Sequence, residues 1–412
     1  MSEETTLVPN LRFQEFPPSS QTGTISQLCK IVDCEHKTAP YVSHSEYAVV
    51  RTSNIRNGTI VHDDMKFTSK EGYREWTRRT IPIPGDLLFT REAPAGETCL
   101  VPKDFKLCMG QRMVLLRSHD NQLDHGYLLY YILSPAGERQ IYRYEIGSTV
   151  KRINIEDIAR IAIHLPSLPE QKKIAAFLSA VDARIDQLKR KKSLLLDYKK
   201  GVMQKLFSQE LRFKDDQGNP FPDWEEKKLG EVTKWSSGGT PSKDNDSYWN
   251  GEIPWMSAIS MHGRYYSDSK LRLTAEGVKS GSKIASKGSL LLLVRGSMLW
   301  NRIPVGITMR EVAYNQDVKA LTPASDLSPA FLLQWFIASE NILLHKVVGT
   351  GIGAGKLDTD EMKHMPIQLP SISEQIKIAS FLTELDRKIE QADAQITHTH
   401  TFKKGLLQQM FV

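Results

Sequence analysis

The chain has 412 residues, 40% hydrophobic and 25% charged, with a formal net charge of +6 and a pI near 8.9. That composition excludes a disordered or fibrous chain and leaves room for two to four domains with real cores. Apolar runs such as Leu290 to Val294 are far below the roughly 18 residues that span a bilayer, and Met1 to Thr6 is acidic and polar, so a cytoplasmic protein is expected.

Residues 1–20 are polar and proline-bearing, a loosely ordered lead-in that contains Leu11-Arg12-Phe13. From 21 to 164 apolar residues come in short runs, Tyr47 to Val50, Asp86 to Phe89 and Met113 to Leu116, broken by Gly, Pro, Asn and Asp, as in short strands joined by loops. One helical stretch, Gly126 to Leu133, interrupts them. Cys29, Cys34, Cys99 and Cys108 all fall here; their spacing does not match paired zinc ligands, so buried reduced thiols and no metal are expected.

Residues 165–208 read as one long helix. Ser167 and Glu170 have the spacing of a capping box, and Pro169 sits in the first turn. Ile174, Val181, Leu188, Leu195 and Val202 then recur every seven residues, with Leu178, Ile185 and Leu206 four positions on, which is a coiled-coil seam. Residues 209–224, rich in Asp, Gly and Pro, read as a linker, and it carries Leu211-Arg212-Phe213, a second copy of the lead-in tripeptide.

The same order then returns. Residues 225–368 repeat the strand-rich pattern: Ile253 to Met256 answers Tyr47 to Val50, Ser289 to Val294 answers Asp86 to Phe89, and Ser328 to Ala338 answers the Gly126 helix. Residues 369–412 repeat the helix; against 165–208 at a constant offset of 204, 18 of 44 positions are identical. Its seam of Ile378, Leu385, Ala392 and Leu406, joined by Leu382, Ile389, Ile396 and Met410, is weakened by Thr399, and its last third is expected to fray or to pack elsewhere. Two such seams in one chain are expected to pack on each other. The first helix has ten Lys or Arg against four Asp or Glu; the second has five of each.

Several chemistries are nearly present and fail. Gly349 to Lys356 is not a phosphate loop, because Thr350 stands where glycine is needed and Leu357 where Ser or Thr is needed. Pro222-Asp223 with Glu226-Lys227-Lys228 resembles nuclease fragments, but its acids lie too close in sequence to come from separate strands. No Ser/His/Asp set, zinc histidine pair or methyltransferase tetrapeptide is found, so no catalytic residue is assigned.

What remains is a set of polar side chains on loops suited to reading nucleic acid. In the first half these are Lys37, Thr38, Arg51, Asn54, Arg91, Gln111, Arg112, Lys151 and Arg152. In the second they are Thr240, Ser242, Lys243, Ser257, Arg264, Arg295, Arg302, Asn315, Gln316 and Lys356. Arginine suits a guanine edge, Asn and Gln an adenine edge, and lysine a phosphate.

The LPS-x-x-EQ-x-x-I-A-x-FL opening and Lys-Lys-Gly-x-x-Gln ending of both helices, Glu225 to Gly230, and GGTPS with YWNGEIPW between Gly238 and Trp255 resemble the DNA-specificity subunit of type I restriction-modification systems. Asp33 to Pro40 is similar to another version of that opening. The resemblance implies an α+β chain with a pseudo-two-fold internal repeat: two similar α/β target recognition domains, separated by two long helices that form an antiparallel coiled coil. Each domain would read one half of a bipartite double-stranded DNA target.

The helices would fix the spacing and dock methyltransferase subunits, two of them, through surfaces including Lys199, Lys200, Lys403 and Lys404. This chain would be non-catalytic and bind no cofactor, S-adenosylmethionine belonging to the methyltransferase, and a translocase-nuclease subunit would join for cleavage. A methylation-only assembly without a nuclease is the alternative; a self-contained enzyme on DNA is disfavoured by the missing motifs.

Overall fold

The computed structural model describes residues 8–17, 21–119, 122–351 and 353–412; of the expected lead-in, 1–7 and 18–20 lie outside the described residues. Two compact units emerge: Met1–Arg190 with Ala392–Val412, and Lys191–Gln391. Each therefore contains a strand-rich region and a segment of both long helices, Leu168–Phe207 and Ile372–Met410.

In the first unit, apolar runs too short for helices form two sheets. Cys29–Asp33, Met113–Ser118, Leu87–Thr90 and Thr98–Leu100 lie side by side in that order, all antiparallel. A second sheet orders Leu107–Met109, Tyr47–Val50, Lys66–Thr68 and Tyr41–Val42, its first pair parallel. Leu87, Leu88, Phe89 and Thr90 are buried on both faces, which explains why their run does not alternate. The region holds more helix than the one stretch expected: besides His125–Ile132 there are Ile25–Leu28, Lys70–Trp76, Pro135–Tyr144 and Ile155–Arg160. Two of these are capped by Ser69 and Ser134, a local signal masked by the loop-like composition around them.

The second unit repeats the plan. Thr233–Ser237, Val318–Pro323, Leu290–Leu293 and Val305–Thr308 keep the order of the first sheet, with Tyr265–Tyr266 added at the edge. Trp249–Met256 pairs in parallel with Val312–Tyr314, as Tyr47–Val50 does with Leu107–Met109. The glycines of the GGTPS and YWNGEIPW stretches mark close backbone crossings: a Cβ would lie 2.0 Å from the Tyr314 carbonyl at Gly238 and 2.4 Å from the Leu273 carbonyl at Gly251.

Strand pairs lead into both long helices in one register, Gln21 opposite Leu165 and Glu225 opposite Leu369. The next residues correct the sequence reading. Glu170 and Glu374 do not reach back as capping-box glutamates; both are buried and hold the arginines of the repeated tripeptides. Arg12 donates to Glu170 through Nε and Nη2 (3.0 and 2.7 Å), and Arg212 to Glu374 (3.2 and 2.9 Å), where the Trp224 Nε1–H joins at 3.0 Å. The carboxylate beside it holds each guanidinium more firmly protonated than usual.

Gln171 and Gln375 complete the staple. Gln171 accepts from Asp124 N–H and donates to the Gln122 and Pro166 carbonyls; Gln375 accepts from Ser328 N–H and donates to those of Asp326 and Pro370. Stretch 209–224 is accordingly held against a helix, through Arg212 and the Phe213–Phe381 ring contact. Phe13 meets Phe177 in the same way.

The seam residues Ile174, Leu178, Val181, Ile185 and Leu188 are buried in the first unit, and Ile378, Leu382 and Leu385 in the second. The second helix does not fray. Thr397, Thr399 and Thr401 each return a hydroxyl to the carbonyl four residues back, and Leu406, Leu407, Met410 and Phe411 join the first unit's core.

Candidate nucleic-acid interface

The same backbone crossing occurs in both units. Arg91 N–H donates to the Arg112 carbonyl (2.8 Å) and Ile153 N–H to the Arg91 carbonyl (2.9 Å); Val294 N–H donates to Asp317 and Leu357 N–H to Val294, each at 2.9 Å. The neighbouring residues pair too, Glu92 with Arg152 and Arg295 with Lys356. Gly110 N–H reaches the Val50 carbonyl, and Asn315 N–H that of Met256, bringing in the ends of the parallel strands. Each strand end closes on a one-turn cap, Arg51 N–H onto Asn54 Oδ1 and Ser257 N–H onto Ser260 Oγ. The candidates on these segments are thus drawn together.

In the first unit Lys37, Thr38 and Arg152 are exposed at this crossing. Gln111 donates to the His36 carbonyl (3.1 Å), and exposed Arg112, at a left-handed φ of 65°, meets Glu92 at 3.1 Å. Lys151 pairs with Glu145 and lies 4.9 Å over the Tyr142 ring. Arg91 turns to Asp33 and the Ile153 carbonyl, and Arg51 to Asp64. Asn54 is a correction: it is fully buried, and its amide donates to the Val61 and Asp63 carbonyls, so it shapes a loop and cannot meet a base edge.

In the second unit Arg295 and Lys356 project from paired, exposed positions, and among the described residues neither has an ion-pair partner. Thr240 donates to Gln316 Oε1 (2.7 Å), Ser242 and Lys243 are exposed beyond it, and Ser257 is half-buried at its cap. Arg264 and Arg302 lie on adjoining segments, each against a backbone carbonyl, Val305 and Met261. Asn315 is the second correction, buried with its amide turned to Asp317.

Glu92 and Asp317, which flank the crossing as acceptors, and Trp300, half-exposed with its Nε1–H on the Gly353 carbonyl, escaped the sequence reading. The sequence hides the first two because the repeat drifts in both senses about its offset of 204: Asp317 answers Arg112 at 205, and Arg295 answers Glu92 at 203. The glycine-rich turn Gly349 to Lys356 packs on that tryptophan as a short hairpin; its Ile352 lies outside the described residues.

Asp33, Cys34 and His36 come within metal-ligand range of one another. Their donor atoms are engaged: Asp33 takes Arg91, Arg79 and His36, and Cys34 Sγ accepts the Met113 N–H while burial pushes its thiol pKa up. Burial raises the pKa of the other three thiols to about 12.

Of the lysines expected to face a partner, Lys200 and Lys404 are exposed. Lys199 and Lys403 are not: Lys199 Nζ meets Asp386 Oδ1 at 2.5 Å and Lys403 Nζ meets Asp182 Oδ1 at 2.7 Å, each bridging the two long helices.

The type I restriction modification DNA specificity domain matches residues 19–196 and again 222–398, and the chain belongs to that family. It is 31% identical to the EcoR124I/EcoR124II specificity subunit of Escherichia coli over 162 residues, 39% of this chain and 40% of that one. With the MjaVIII specificity subunit of Methanocaldococcus jannaschii it shares 25% identity over 84% of this chain and 80% of the relative. Among solved structures, the S subunit of the type I system from M. genitalium superposes with a TM-score of 0.62 at 17% identity, covering 98% of this chain and 99% of that one. No helix among the described residues is long and apolar enough to cross a membrane.

Proposed function

We propose that the chain is the sequence-reading subunit of a type I restriction-modification complex, and that the two crossings read the two unlike halves of a split double-stranded DNA target. The observation that carries this is one backbone frame, built twice, holding different side chains. Residues 21–164 and 225–368 act as the recognition domains. Lys37, Thr38, Gln111, Arg112, Arg152, Arg295, Gln316 and Lys356 are the foremost contacts, with Arg51, Arg91, Lys151, Thr240, Ser242, Lys243, Ser257, Arg264 and Arg302 around them.

The long helices, 165–208 and 369–412, pair as an antiparallel coiled coil joined through 209–224. Asp182, early in the first helix, meets Lys403, late in the second, and Lys199 meets Asp386 in the reverse sense, which supports that direction. The coil holds the reading faces at a fixed separation and docks two methyltransferase subunits in the cytoplasm, through surfaces that include Lys200 and Lys404. Those subunits hold S-adenosylmethionine and transfer the methyl group, a translocase-nuclease subunit cuts, and this chain supplies recognition alone.

Methylome sequencing of the host with the gene present and deleted tests the reading. Loss of methylation at a bipartite, asymmetric motif is expected. Loss at one contiguous palindrome would overturn it.

A further inference from the structure

The two lysine–aspartate bridges are one device at the repeat offset of 204, and each has a third member. Tyr130, on the helix His125–Ile132, donates its hydroxyl to Asp182 Oδ2 at 2.8 Å, and Lys403 lies 5.3 Å over its ring. Gln334, on the matching helix Pro329–Ala338, donates to Asp386 Oδ2 at 3.4 Å. In each unit one carboxylate thus joins a lysine of the opposite long helix to a side chain of the recognition domain. Lys199 is only 8% exposed.

An apolar seam with a seven-residue period does not by itself choose among alignments one heptad apart; a buried polar group does. Slipping the helices by one heptad in one direction sets Lys199 against Ala379 and Lys403 against Ala175. Slipping them the other way sets Lys403 against Lys189, with Asp182 against Met410 and Asp386 against Leu206. Either slip leaves three of the four charges without an opposite partner. The observed alignment satisfies all four.

We propose that Asp182–Lys403 and Asp386–Lys199, tied to the recognition domains through Tyr130 and Gln334, are positioning residues that select the register of the helix pair and, through it, the spacer between the half-sites. The spacer rests on the measuring role given to the helices above; the register does not. The lysines are enclosed and the aspartates part-exposed; an enclosed charge is costly to strand but adds little over a well-packed apolar replacement, so the device acts on alignment more than on stability.

The test replaces both bridges by apolar residues, Asp182→Leu with Lys403→Met and Asp386→Leu with Lys199→Met, adding Tyr130→Phe and Gln334→Leu. The full chain is used with its methyltransferase partners. Spin labels on exposed Tyr198 and Arg387 read the register directly, and methylome sequencing reads the spacer. The parent should give one narrow distance. The apolar variant should stay folded and give a second, longer distance, because labels that lie level in the observed register are then offset along the helix axis by about 10 Å, seven residues at 1.5 Å each, with the half-sites modified at more than one spacer. The exchanged variant, each aspartate made lysine and each lysine aspartate, should return to one register.

A folded apolar variant with a single unchanged distance overturns the proposal. So does a variant that fails to fold, because the bridges would then serve stability. If the distance splits while the spacer stays single, the bridges do select register and the measuring role of the helices fails by itself.

Discussion

The two crossings share their hydrogen bonds and differ in the groups those bonds hold up. Where the first unit puts Glu92 beside Arg112, the second puts Arg295 beside Asp317, so the charges trade places on one frame. In the first, the arginine is held by its neighbouring acid; in the second, Arg295 extends from a paired strand without an ion-pair partner among the described residues. A frame fixed by main-chain bonds leaves side chains free to change without moving the reading surface. The difference therefore sits on the surface proposed to meet a base edge, and the likeness where the fold needs it.

The likeness breaks first at the staples. Glu170→Ala and Glu374→Ala each take from a part-exposed arginine the buried carboxylate that holds it and should cost about 2–3 kcal/mol of unfolding free energy. Chemical denaturation should show the greater loss for Glu374→Ala, which also deprives the Trp224 indole of its acceptor. Equal losses would show that the third contact contributes nothing.

Next come the loop-shaping groups. Asn54→Ala removes three internal hydrogen bonds and should lower stability by about 1–3 kcal/mol while leaving base preference intact. A changed target motif in the methylome would return Asn54 to the reading set. Arg295→Ala should weaken discrimination at one base by about 1–3 kcal/mol, the range for an arginine forked onto guanine. Arg112→Ala, starting from a residue already held by Glu92, should do less, as competition binding with single-base variants would reveal. A loss shared equally by all sequences would make either residue a phosphate contact.

The smallest effect separates the units by pH. Burial lowers the His125 pKa from its usual 6.5, and its Nε2 accepts the Ser118 N–H; burial lowers His164 too. The unfolded chain therefore binds these protons first, and the first unit should lose stability as pH falls below about 6.5, with no such contribution above it. The second unit has Pro329 and Gln368 at the corresponding positions. Hydrogen exchange at pH 7 and 5.5 should speed up in Met113–Ser118 relative to Val318–Pro323, and His125→Gln with His164→Gln should abolish the difference.

The long helices were readable in the sequence because a seven-residue period over several turns has no competing explanation, and four of the five apolar runs marked their strands to within two residues, while the strand Trp249–Met256 begins four residues before the run at Ile253. The short helices at Lys70–Trp76 and Pro135–Tyr144 were not, since one or two turns carry too few apolar positions to show a period. Residue type suggested which loops could read DNA but not which amides were already engaged. Asn54 and Asn315 have the right chemistry and the wrong burial, and only packing decides that. The Ser-x-x-Glu spacing misled for the same reason: the arginine that captures the glutamate is over 150 residues away in sequence.

One hydrogen bond has a topological consequence. Leu211 N–H closes the first long helix on the Lys205 carbonyl, and Leu11 N–H closes the second on that of Gln409, both at 3.0 Å. Covalently, the first closure is a six-residue turn and the second joins the two extremes of the sequence, yet Arg12 and Phe13 then repeat what Arg212 and Phe213 do. Both long helices thus end on the same closure, once along the chain and once between segments far apart in it. A circular permutant opened after Ser208 and sealed between Val412 and Val8 by a short tether would only exchange which closure is covalent, and it should fold to the same pair of units.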